Sequence, residues 1–204
     1  MNEIILFSKE FAIPHYPKVK RTIYISAFKG YPSHILRKRE FFTKHFCEEF
    51  YPFNYTQSDI DKSDMIIFGG GDTFSLLAIR DMFEWPDDKV YVGISAGSVF
   101  LGKNIGFSSF FDDNEDAVPL TYEDTEGLGK VNCIIKPHAE RLRNQVQQRM
   151  FQNYCNDINE AFYTNEHAQP LAIADNECYI YSGTKYTYFV LREDGVYGKY
   201  EVRR

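Results

Sequence analysis

Ser95 stands in the stretch Gly93-Ile94-Ser95-Ala96-Gly97, behind a β-forming apolar run and ahead of small and apolar residues. The pattern G-x-S-x-G is that of a nucleophile elbow, in which a strand turns sharply into a helix and lifts a serine hydroxyl above the sheet edge. That turn crowds the residues two before and two after the serine, so both have to be small. The following helix directs its free N–H groups towards the same place. At ordinary glycine and serine usage the bare pattern arises by chance about once in fifteen chains of this length. Its strand–turn–helix context therefore carries the weight. An inert serine in a tight turn fits the same residues.

A second element is Gly69-Gly70-Gly71-Asp72-Thr73, after the apolar run Met65-Ile66-Ile67-Phe68. Glycines at the carboxyl end of a strand let a ligand approach backbone N–H groups. Asp72 or Thr73 can cap a helix beginning near Phe74. Neither G-x-x-x-x-G-K-[ST] nor G-x-G-x-x-G is present, which argues against a phosphate cradle. An oxyanion hole needs only one or two backbone donors, and a neighbouring parallel strand would deliver them. A flexible turn is the plainer alternative. The third requirement is a base. Of the five histidines, His138 differs in following an apolar strand and Pro137, which fixes the direction of the chain's exit. His15, His34 and His45 lie among polar or charged neighbours, and His167 lies in a turn signal.

These groups need a scaffold with strand ends on one edge. Apolar runs at Ile4–Phe7 and Thr22–Phe28 read as strands, and residues 31–50 as an amphipathic helix carrying Ile35, Phe42, Phe46 and Phe50. Two strand–glycine turn–helix units follow, around Gly69–Gly71 and Ser95. A polar, acidic stretch leads to a strand, a Pro-His break and a further helix. The C-terminal quarter, including Ala161–Asn165, Pro170–Asp175 and Cys178–Gly183, reads as strands and hairpins extending the sheet in antiparallel sense. The expected fold is α/β, a three-layer arrangement with a mainly parallel sheet flanked by helices, in one domain over residues 1–204. Open α/β sheets place their sites at the carboxyl edge, where both glycine turns would lie.

Composition narrows the function. A chain of 204 residues with 44% hydrophobic and 25% charged residues suits a single large globular domain. The net charge of −6 argues against nucleic acid. The basic run Arg37–Arg39, followed by Glu40, reads as a solvated helix face. Four scattered cysteines, Cys47, Cys133, Cys155 and Cys178, form no CxxC pair or Cys/His cluster, so no metal site is expected and the thiols read as reduced. No signal-peptide pattern or membrane-length apolar run is seen, and the simplest compartment is the cytoplasm.

Taken together, FGGGDTFSLL, YVGISAGS and KPHAER, in that order and at similar spacing, resemble the peptidase E (aspartyl dipeptidase) family of serine peptidases, with cyanophycinases as more distant relatives. The resemblance runs from the first strand to about Ile180. It implies a fold like a class I glutamine amidotransferase domain, with serine replacing cysteine at the elbow. It implies Ser95 as nucleophile, His138 as general base, and backbone donors around Gly70 and Gly71 with Ala96 as the oxyanion hole. For the acid that orients His138 it points to Asp175 at a late strand end, with Asp116 as the alternative. Relatives often carry glutamate at the first of these positions, so an aspartate there has to make a closer contact. The family acts on peptides with an N-terminal aspartate, whose carboxylate needs a cation. Arg141 and Arg143 are the candidates, and both equally fit a helix face.

The expected activity is hydrolysis of short peptides through an acyl-enzyme, with no cofactor. The expected partner is a small peptide substrate, not nucleic acid or a membrane, and a homodimer is left open. Three rival readings stand. A glutamine amidotransferase needs cysteine at the elbow, and none of the four cysteines is there. An α/β-hydrolase-like esterase shares the elbow but places its histidine after the acid, near the C-terminus. His167 is the only histidine in that part of the chain, and it precedes Asp175. A catalytically silent binding protein could use the same fold.

Overall fold

The computed structural model describes residues 3–27, 32–52, 55–110, 125–142, 144–183, 185–195 and 197–203. The strands are β1 (Glu3–Phe7), β2 (Val19–Ala27), β3 (Cys47–Tyr51), β4 (Met65–Gly71), β5 (Val90–Ile94), β6 (Cys133–Pro137), β7 (Gln169–Ile173), β8 (Glu177–Ser182), β9 (Lys185–Leu191) and β10 (Tyr197–Arg203). The helices are α1 (Pro32–His45), α2 (Gln57–Lys62), α3 (Thr73–Arg80), α4 (Ala96–Leu101) and α5 (Gln145–Phe162). Among the described residues the main sheet has eight strands in the order β10-β9-β8-β1-β5-β4-β2-β3. Its β1, β5, β4, β2 and β3 run parallel, and β8, β9 and β10 add antiparallel strands beyond β1.

The central strands are apolar on both faces because both faces are covered. Along β1, Ile4 and Leu6 join Phe68, Tyr91, Leu76 and Phe100 on the face of α3 and α4. The alternate residues Ile5 and Phe7 join Tyr24, Val92, Phe42 and Phe46 on the face of α1. This alternation makes the three layers. All four cysteines are buried free thiols. Among the described residues, no helix is long and apolar enough to cross a membrane.

Three segments depart from the sequence reading. The first helix stops at His45, and Cys47–Tyr51 is β3, pairing in parallel with the edge of β2. Phe46 and Phe50 are buried either way, so a spacing of four could not separate helix from strand, and the unpaired edge of β2 decided it. Ala161 and Phe162 finish α5 instead of starting a strand. The segment around Pro170 forms β7, which pairs in parallel with β6 in a separate two-stranded sheet. That small sheet delivers His138 and Asp175.

Candidate active site

Ser95 follows the fully buried β5 and occupies the N-cap position of α4, with φ 51° and ψ −112°. Its side chain makes no capping bond, so the hydroxyl is left for other partners. Packing accounts for both elbow glycines. A Cβ on Gly93 would lie 2.6 Å from Ser98 N and Cα, and one on Gly97 would lie 2.0 Å from Phe68 O. Ser98 is fully buried, donates to Phe7 O at 2.6 Å and accepts from Phe7 N at 3.2 Å. Ser95 N also donates to Phe7 O, at 2.9 Å. The elbow is thereby fastened to the neighbouring strand. Gly97→Ala should destabilise the protein by about 3 kcal/mol, the upper end of overpacking losses, because its clash is with backbone that has little room to move. Urea unfolding of the variant against wild type measures this.

Gly70 and Gly71 end β4 beside the elbow, and a Cβ on Gly70 would lie 3.4 Å from Ser95 Cβ. Asp72 is the N-cap of α3 and accepts from Phe74 N and Ser75 N, so of the two residues able to cap it is aspartate that does. On the other side of Ser95, the first N–H groups of α4, including that of Ala96, have no acceptor within the helix.

His138 leaves β6 in the left-handed region, φ 54° and ψ 54°. A non-glycine residue held there costs about 1–3 kcal/mol and needs surrounding bonds to keep it. Its Nε2 lies 2.9 Å from Ser95 Oγ, and its Nδ1 lies 2.7 Å from Asp175 Oδ1. Partial burial pushes the Asp175 carboxyl up. Hydrogen bonds from Ser8 and His138, with His138 and Lys9 nearby, outweigh that and hold it below the usual carboxylate range. An ionised carboxylate can only accept, so the ring proton is assigned to Nδ1 and the lone pair of Nε2 faces the serine hydroxyl. The turn carrying Asp175 is held at both ends. Asp175 N donates to Glu140 Oε1 at 2.7 Å, and Ala174 N donates to Glu177 Oε2 at 3.0 Å.

The structure thus brings together Ser95, His138 and Asp175, with Gly70 and Ala96 alongside. Asp116 and Arg143 lie outside the described residues. Arg141 is exposed on the short 3-10 helix Ala139–Arg141. His167 is exposed just before β7, at the opposite end of that strand from Asp175. Sequence reasoning missed Ser8, Ser98 and Glu140. Ser8 had one legible signal, as the first polar residue after the apolar run of β1, at the sheet edge where α/β sites lie.

An elbow serine at the carboxyl edge of a mainly parallel, three-layer sheet is the arrangement that serine-type hydrolases use. The fold is also that of a solved structure described as a candidate peptidase E protein from Listeria monocytogenes EGD-e, with a TM-score of 0.56 and 19% identity over 100% of this chain and 99% of that one. The chain belongs to peptidase family S51, whose model matches residues 18–188, and is a serine peptidase. No curated protein matches the chain.

Proposed function

We propose that this peptidase hydrolyses short peptides with Ser95 as nucleophile, His138 as general base and acid, and Asp175 as the carboxylate that orients the imidazole. The observation that carries this is the continuous chain from Ser95 Oγ to His138 Nε2 at 2.9 Å and from His138 Nδ1 to Asp175 Oδ1 at 2.7 Å. Ser95 attacks the peptide carbonyl as His138 Nε2 takes its proton, and the imidazolium is stabilised by Asp175. The tetrahedral oxyanion is met by the N–H of Ala96 and by backbone donors of Gly70 and Gly71, each worth about 10²–10³ in rate. His138 then protonates the leaving amine, and water, activated by the same imidazole, releases the acid product from the acyl-enzyme.

The substrate class proposed is dipeptides and other short peptides, N-terminal aspartyl peptides among them, with Arg141 and Arg143 as the cations for an aspartyl carboxylate. The test is a library of dipeptides and N-terminal aspartyl peptides, incubated with wild type and with Ser95→Ala. Cleavage of at least one member by wild type and of none by Ser95→Ala is the expected result. Cleavage at equal rates by both proteins, or by neither, would count against the reading, and the second outcome would favour a binding role.

A further inference from the structure

Ser8 stands one residue beyond β1 and is 1% exposed, yet its hydroxyl touches both partners behind the nucleophile. His138 N donates to Ser8 Oγ at 2.7 Å, which occupies one of the hydroxyl's lone pairs. The hydroxyl proton is directed to Asp175 Oδ1 at 2.8 Å. The remaining lone pair faces His138 Nδ1 at 3.1 Å. Asp175 Oδ1 is also the oxygen that His138 Nδ1 meets. One buried hydroxyl therefore holds the strained His138 backbone, the carboxylate and the protonated ring nitrogen at once.

We propose that Ser8 is a positioning residue, which locks the His138–Asp175 pair in the tautomer and orientation that leave Nε2 free for Ser95. The inference rests on the roles proposed above for Ser95, His138 and Asp175. A hydroxyl that donates to a carboxylate draws charge from it, and Ser8 is among the groups that lower the Asp175 carboxyl. Without it, the Asp175 carboxyl loses one of the groups that lower it, and more negative charge stays on the carboxylate facing the imidazole. The backbone N–H of His138 also loses its acceptor, which loosens the left-handed turn that aims the ring.

The experiment uses the full chain and an alkyl fluorophosphonate probe, with kinact and KI read across pH. Ser8→Ala is expected to lower kinact about 10–100-fold, the range for losing a hydrogen bond to a charged group. KI should stay at the wild-type value, and the acid limb of kinact should move to higher pH. Ser8→Cys, which fills the site with a much weaker donor, should move both quantities the same way and serves if Ser8→Ala does not fold. A variant that melts at lower temperature but keeps the wild-type kinact and acid limb would make Ser8 a packing residue and overturn the proposal. The Ser95→Ala control separates the two levels. If wild type labels no faster than Ser95→Ala, the assignment of Ser95 fails. If wild type labels faster than Ser95→Ala and the Ser8 variants match wild type, the role of Ser8 alone fails.

Discussion

Ser95→Ala is expected to lower kcat for peptide hydrolysis on the order of 10⁶-fold, as nucleophile removal does when serine, histidine and acid act as a unit. The loss should appear in a direct assay for released amine on any peptide that wild type cleaves. It should leave thermal stability close to wild type, because the Ser95 side chain caps no helix and the elbow is fastened by its backbone N–H and by Ser98. His138→Ala in the Ser95→Ala background should add little, since either change alone disables the same step. A Ser95→Ala protein that hydrolyses peptides within tenfold of wild type (about 1.4 kcal/mol of barrier) would remove Ser95 from the chemistry. That result would leave the glycine-flanked turn as packing only.

Asp175→Ala is expected to lower kcat on the order of 10⁴-fold, the cost of removing the orienting acid alone. The imidazole would lose both the acceptor that holds its proton on Nδ1 and the charge that stabilises imidazolium. Asp175→Asn should be the milder change. The Ser8 hydroxyl needs an acceptor at the Oδ1 position, 2.8 Å away, and so turns the amide oxygen of an asparagine towards itself and Nδ1. The tautomer would then survive while the charge is lost. Asp116→Ala, assayed in parallel, should leave kcat near wild type, and the reverse pattern would transfer the role to Asp116. The pH dependence has a definite sign. The folded carboxyl of Asp175 lies below its ordinary value. Its contribution to stability is full above the unfolded value of about 4 and is lost as pH falls through the lower, folded value. Asp175→Ala should therefore flatten the loss of stability on the acid side of about pH 4.

Much of this is legible in the sequence because its causes are local. The need for glycine at Gly93 and Gly97 follows from the sterics of a strand turning into a helix, and the atoms met are those of Ser98 and Phe68. Asp72 could be named as a cap because capping involves neighbours two and three residues away. The buried runs of β1, β4 and β5 read as strands because a sheet covered on both faces takes unbroken apolar segments. Where local signals are degenerate, the same residues suit more than one element. Phe46 and Phe50 suit a helix and a strand alike, and Cys47–Tyr51 became β3 only because β2 offered an edge.

The residue types able to act as nucleophile and base, the turns that hold them and the α/β class were set by short-range sterics and apolar periodicity, which the chain carries in its order. The contact between His138 and Asp175 could not be read that way. Asp175 meets His138 because β6 and β7 pair with Pro137 opposite Ile173, which brings together residues 37 apart in the chain. Ser8 meets them both from 130 and 167 residues away because β1 lies between β5 and β8 in the sheet. Such contacts depend on strand order and register, which emerge only when the whole core packs. That is why Ser95 and His138 stood out in the sequence, whereas the hydroxyl behind them did not.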